Sequence, residues 1–410
     1  MSVRQRVVGT LAHYDHRFWT LFGVQLIVAV GFGAAMPFVS IYLHNVLGVS
    51  MTFVGTIMLA SALVAAAGRI IGGEIADRLG RRPLLIGGMS ARVLVFGLMA
   101  YVIHSGASAL VVGGVFLLVR WAGAMVRPGL SAMVADVVEP KRRVEAYALF
   151  RIGANAGWAV GPAIGGFLVS TSYALLFLLT TFASLIGLLM VIFLTRESIR
   201  AAETERFAVR RLLDAVHDLR FLVFCVWSVL LFLVMGQFAS TLAVFSTKIV
   251  EILESQLGIL FTINGLVVVL FQWPAARLSD RLGIRWGLIL GCLLYALGYF
   301  SVAFATGFPF LIGSMVIITL GEVTFSPTSM AAVANMAPEV RIGRYMGFFG
   351  LTEALGWSLG PFIGGVLFDV LSPIPVALWG IIAALSVTAA AGFAFTFREE
   401  REHNSKSLVN

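Results

Sequence analysis

Glu322 and Arg120 are ionisable side chains in the middle of long apolar stretches, Leu320-Gly321-Glu322-Val323 and Leu117-Leu118-Val119-Arg120. A charge at such a position costs about 2.5–3.5 kcal/mol to insert into a bilayer, so it marks a functional candidate. A carboxyl group offers the simplest chemistry. It can hold a proton as a neutral acid, or release it and attract a cation. An arginine keeps its charge, so its work is to tune a carboxylate or to hold an anion. A glutamate hydrogen-bonded between helices and an arginine in a structural ion pair would leave the same residues in the sequence. Arg151, Glu353 and Arg92 lie about a third of the way into their runs. They are either pairs at a gate or long side chains that snorkel to the membrane surface. Gln25, Trp158, Gln237 and Asn264 are candidates for the wall of a cavity, whereas His44 and Asp369, at run ends, read as solvated.

The elements that hold these groups follow from composition. Hydrophobic residues make up 59% of the 410, charged residues only 12%, and the mean hydropathy is +0.96. Soluble chains carry about 45–50% and ~25%, so too little polar surface exists to cover a soluble fold. Twelve runs of spanning length fall near 18–43, 52–75, 84–104, 108–132, 144–168, 173–195, 221–247, 256–277, 286–305, 308–333, 344–369 and 375–397. In lipid the backbone must satisfy its own hydrogen bonds, so runs of this length are helices. The first run has full spanning length and no small-residue cleavage site after it, unlike a secretory signal.

Arginines set the expected orientation. Alternate loops collect Arg78, Arg81, Arg82, Arg142, Arg143, Arg281, Arg285, Arg341 and Arg344, while the opposite loops hold Lys248 alone. That asymmetry places both termini in the cytoplasm and accounts for the net charge of +8 without nucleic acid. Cys225 and Cys292 sit in apolar runs and read as packing thiols. No phosphate-binding G-x-x-x-x-G-K-[ST] loop, metal-ligand set or nucleophile constellation occurs, so neither an ATP engine, an enzyme, a cofactor nor a metal is expected.

The chain repeats itself. Gly157-Trp158-Ala159-Val160-Gly161-Pro162-Ala163-Ile164-Gly165-Gly166 returns as Gly356-Trp357-Ser358-Leu359-Gly360-Pro361-Phe362-Ile363-Gly364-Gly365, at 356 − 157 = 199. Pro128 and Pro327 share that offset, and Asp77-Arg78-Leu79-Gly80 returns as Asp280-Arg281-Leu282-Gly283 at 280 − 77 = 203. Matching loops fall on the same side, so the expected organisation is two parallel six-helix halves, 1–195 and 221–410, with a linker over 196–220. Within the linker, the stretch from Arg206 to Val216 has the spacing of a surface-lying amphipathic helix.

The segment from Gly73 through Asp77, Arg78, Gly80 and Arg81 to Pro83 resembles the signature loop of the major facilitator superfamily. The resemblance implies that Asp77, Arg78 and Arg81, with Asp136 as an added partner, form a latch that holds one access state. Gly157, Gly161, Pro162, Gly165 and Gly166 resemble the motif of that superfamily's proton-coupled exporters. The second copy at 356–365 is equally explained by symmetry, so close helix packing remains an alternative. The stretch around Glu322 is similar to the tenth helix of the lactococcal multidrug transporter and its relatives, which implies a proton site facing the substrate cavity. Those proteins carry further acids where this chain has Phe150 and Ala239, so either fewer protons per cycle or a preference for substrates other than dications is expected.

The resemblance implies an all-α inner-membrane protein, acting as a monomer, that exports amphipathic small molecules in exchange for protons. Glu322 and Arg120 would form its coupling pair, and Arg151 and Glu353 a cytoplasmic gate. Two other readings stay open on the same fold: translocation of a lipid or lipid precursor, and proton-driven uptake of a small organic solute. The implied partners are a small molecule, protons and the bilayer.

Overall fold

A computed structural model of the chain describes residues 14–197, 218–338 and 341–397. The stretch from Arg206 to Val216 lies outside the described residues. The fold is all-helical, as composition required. Helix α1 is His16–Ile41 and runs on through a π-turn, Tyr42–Val46. Then come α2 Met51–Leu79, α3 Arg81–His104, α4 Ala109–Val137, α5 Arg143–Val169 and α6 Tyr173–Leu194. The rest are α7 Leu219–Met235, α8 Thr241–Lys248, α9 Glu254–Val302, α10 Phe308–Met336, α11 Ile342–Leu371 and α12 Pro375–Thr396.

Two departures from one helix per run have local causes. The 49 residues of α9 would span ~74 Å at 1.5 Å each, more than twice a bilayer core. The helix therefore consists of two rods, and it turns at Gly283 (φ +77°). Gly80 makes the matching turn between α2 and α3 with φ +100°. The seventh run is broken between α7 and α8. There Gly236 lies so close to α11 that a Cβ would fall 3.2 Å from the Gly360 Cα. Gln237 spans the break, with its amide donating to the Leu233 and Gly360 carbonyls and accepting from the Thr241 hydroxyl at 2.7 Å.

The chain divides into two compact units. One takes the described residues up to Tyr42 and Ala60–Glu197; the other takes Leu43–Leu59 and everything described from Asp218 on. In the first, α5 lies on α1 backbone to backbone. A Cβ on Gly157 would sit 2.7 Å from the Ala29 carbonyl carbon, and one on Gly161 2.7 Å from the Ala34 nitrogen. In the second, α11 lies on α7 in the same way, and a Cβ on Gly360 would meet the Leu233 carbonyl oxygen at 2.6 Å. The repeated glycine phrase thus does the same packing work twice.

Leu43–Leu59 joins the second unit through Asp369. Its carboxylate accepts from the Met51 and Thr52 backbone N–H groups at 2.8 and 2.7 Å and from the Thr52 hydroxyl at 2.6 Å. Asp369 is therefore a cap for the orphan donors that begin α2, not the merely solvated acid that its run-end position suggested. His44 contacts the Val49 carbonyl at 2.8 Å and lies edge-on to Phe368.

Candidate functional site

The second unit holds Glu322 on α10. Its placement starts one residue earlier: a Cβ on Gly321 would fall 3.0 Å from both the Tyr295 ring and the Tyr295 backbone nitrogen on α9. That contact brings the two helices close enough for their polar groups to meet. The Asn264 amide of α9 donates to Glu322 Oε2 at 3.1 Å and to the Thr319 hydroxyl at 2.9 Å. Thr319 precedes Glu322 by one turn and shares its face. Among the described residues no cation lies within ion-pair distance of Glu322, and the side chain is partly exposed rather than sealed. The arrangement presents a carboxyl group whose ionised form is met by one amide and no opposite charge.

The first unit holds a different chemistry. A cavity of about 240 Å³ opens among α1–α5, and its wall includes Gln25, Phe32, Arg69, Arg92, Arg120, Arg127 and Trp158 but, among the described residues, no carboxylate. Gln25 and Phe32 are two turns apart on α1, as Arg120 and Arg127 are on α4, so each pair shares a face. Arg92 is only 3% exposed, which excludes snorkelling. Its Nε and Nη2, and the Nε of Arg120, are buried without a hydrogen-bond partner among the described residues. The Arg92 guanidinium lies 5.0 Å from the Phe96 ring centroid and 6.0 Å from Phe32, and Arg120 lies 5.6 Å from Phe32 on its own account. Phe32 in turn packs edge-on against Trp158 at 5.8 Å.

Gln25, Trp158 and Asn264 are thus polar or aromatic groups at these two sites, whereas Gln237 is not. It is fully buried, and its amide is spent bridging the helix break. Arg151 is exposed and Glu353 partly so. Arg69 and Arg127 escaped the sequence reading, although the criterion that singled out Arg120, a charge inside an apolar run, applies equally to them.

The signature loop sits in the first unit. Arg81 Nε pairs with the largely buried Asp136 at 2.9 Å, and Arg78 pairs with Glu74 one turn back. Asp77 is exposed and makes no ion pair among the described residues. A residue without a sequence signal completes the loop: the Glu197 carboxylate accepts from the backbone N–H groups of Arg81 and Arg82 at 3.2 and 3.1 Å. Arg82 donates to the Thr195 and Ile192 carbonyls at 3.1 and 2.9 Å. A Cβ at Gly80 would meet Glu197 Oε2 at 2.9 Å, whereas one at Gly73 would meet nothing. Gly165 faces the Ala34 carbonyl across the α1–α5 contact, Pro162 lies inside α5, and Gly166 is buried.

Ten of the described helices are long and apolar enough to cross a membrane, so the chain is a multi-pass membrane protein. The chain belongs to the Major Facilitator Superfamily, whose profile matches residues 21–253 and 227–409. It is 29% identical over 339 residues to the uncharacterized MFS-type transporter YttB of Bacillus subtilis, covering 81% of this chain and 83% of that one. It is 27% identical over 376 residues to the multidrug resistance protein MdtH of Edwardsiella ictaluri, covering 88% and 90%. Among solved structures, the nucleoside transporter NupG superposes with a TM-score of 0.79 over 93% of this chain and 99% of that one, at 14% identity. A bacterial homologue of the human lysosomal transporter Spinster reaches 0.73 over 94% and 97%, at 16%. At these identities the structural likeness concerns the fold alone.

Proposed function

We propose that this transporter exports amphipathic small molecules in exchange for protons by alternating access, with Glu322 as the protonation site and Arg120 modulating it. The observation that carries the reading is the Glu322 carboxyl group, held at mid-helix by the Asn264 amide with no cation to neutralise it among the described residues. Such a group can change conformation cheaply when protonated and holds a charge when not. A proton moving down 100 mV supplies ~2.3 kcal/mol, which is enough to drive cargo. Distant kinship with MdtH supports export. The loop arginines support cytoplasmic termini. The repeat supports functional halves at 1–195 and 221–410, joined by the 196–220 linker. Arg151 and Glu353 are assigned to a gate, and Asp77, Arg78, Arg81 and Asp136 to a latch.

The test uses proteoliposomes with an imposed pH gradient and two amphipathic probes, ethidium and 1-naphthoate. Glu322→Gln is expected to abolish proton-driven flux of whichever probe is carried while leaving downhill exchange intact. Unchanged coupling in that variant would remove Glu322 from the mechanism.

A further inference from the structure

Tuning of Glu322 by Arg120 alone does not account for the first unit's cavity, which gathers four positive charges from three helices. Arg69 comes from α2, Arg92 from α3, and Arg120 and Arg127 from α4. Among the described residues no acid lines the cavity and none of the four forms an ion pair. Burying an unpaired ion costs several kcal/mol even after relaxation. The aromatic faces beside Arg92 and Arg120 return only about 0.5–2 kcal/mol each. Mutual repulsion adds to the deficit, so the rings do not account for the cluster. A group of opposite charge, not found beside them among the described residues, would.

The burial of the four is graded. Arg69 and Arg127 are exposed, Arg120 is partly exposed, and Arg92 is almost wholly buried. An incoming anion would meet flexible charges first and the fixed guanidinium last. Guanidinium groups match planar or tetrahedral oxyanions in paired hydrogen bonds, and Arg92 has two donors with nothing to bind. The 40%-exposed Trp158 beside Phe32 offers an aromatic face at the same wall. The cavity lies slightly below the ~300–1,000 Å³ of a drug-sized pocket, so it suits a headgroup rather than a whole bulky ligand.

We propose that the cavity formed by Gln25, Phe32, Arg69, Arg92, Arg120 and Arg127 is an oxyanion-binding site that takes the carboxylate or phosphate of an amphipathic cargo. The proposal rests on the functional reading above only in supposing that the chain carries a cargo; it does not require Glu322 to be the proton site.

The experiment measures equilibrium binding and thermal shift on purified full-length protein in a neutral detergent. Probes are 1-naphthoate and phenyl phosphate as free organic anions, lysophosphatidylglycerol against lysophosphatidylcholine as anionic and zwitterionic lipids, and tetraphenylphosphonium as a cation. Binding of 1-naphthoate or phenyl phosphate supports the site with a soluble anion as its ligand. Selective binding of lysophosphatidylglycerol alone supports it with a lipid headgroup. In either case affinity should fall at least tenfold in Arg92→Gln and Arg120→Gln. The exposed pair Arg69→Gln and Arg127→Gln should weaken it several-fold, which keeps the test decisive if the buried variants do not fold. Anion affinity that is the same in all four variants, or binding of tetraphenylphosphonium alone, or of no probe, overturns the proposal. Anion affinity should survive in Glu322→Gln. Retained anion binding with unchanged coupling in that variant would sink the proton assignment and leave this site standing. Lost coupling without any anion binding would do the reverse.

Discussion

The two units share a scaffold and differ in their chemistry at equivalent positions. The offset of Pro128 and Pro327 is 327 − 128 = 199, and 123 + 199 = 322, so Gly123 of the first unit corresponds to Glu322 of the second. The offset of Gly80 and Gly283 is 203, and 92 + 203 = 295, so Arg92 corresponds to Tyr295. In the first unit a Cβ on Gly123 would touch Arg92 Nη1 at 2.9 Å; in the second, Gly321 sits against Tyr295 at 3.0 Å. Among the described residues, one architecture thus presents a cation beside a missing acid, and the other an acid without a cation. An acid at the first unit's Gly123 would neutralise Arg92. On the proposals above, its absence there leaves Glu322 to exchange protons and Arg92 to hold an anion.

The strongest way to break that comparison is to attack what the units share. Gly161→Val and Gly360→Val would each drive side-chain atoms into the backbone of the facing helix, α1 or α7. Overpacking of this kind costs ~1–3 kcal/mol, and here the neighbour is backbone, which cannot yield. Both variants should melt well below wild type by comparable amounts. A neutral result in either would show that the glycine phrase serves transport rather than packing. Next, the difference itself can be erased by giving the first unit the second unit's acid. Gly123→Glu should pair with Arg92, raise the melting temperature and abolish the response to 1-naphthoate. A variant that keeps its anion affinity would mean that Arg92 does not contact the ligand.

Of smaller size is the effect of removing the Asp369 cap. Asp369→Ala leaves the Met51 and Thr52 N–H groups without their acceptor and should cost ~0.5–2 kcal/mol. Faster amide exchange at 51–54, measured by mass spectrometry, would report it. Unchanged protection there would show that the cap is dispensable.

Much of the fold was legible because the bilayer leaves the backbone few choices. Twelve apolar runs could only be helices, and both copies of the Gly-Pro-x-x-Gly-Gly phrase lie where helices pack backbone to backbone. What the runs could not show is which side of a helix meets which neighbour. Gln237 looked like a cavity residue because it is polar in an apolar run, yet its bonds close a helix break. Arg69 and Arg127 carry the same signal as Arg120, a charge inside an apolar run, but only the convergence of α2, α3 and α4 makes them part of a cluster with Arg92. Glu197 had no sequence signal at all, since its partners lie more than a hundred positions earlier.

The smallest difference between the units is at their matching turns. Gly80 and Gly283 both hold positive φ, which a side chain resists by ~1–2 kcal/mol. Only Gly80 is also crowded, by a carboxylate that caps the helix beyond it; the space around Gly283 is open. Gly80→Ala should therefore pay the strain and also push Glu197 off the Arg81 and Arg82 N–H groups, whereas Gly283→Ala pays the strain alone. Denaturation of the two variants should separate them by about 1 kcal/mol, the size of one cap. The double variant Gly80→Ala with Glu197→Gln should show less than the sum of the two single losses, because the second change removes a contact that the first has already broken. Strict additivity would mean that Glu197 stabilises the turn through some other contact, and the two turns would then differ in sequence but not in energy.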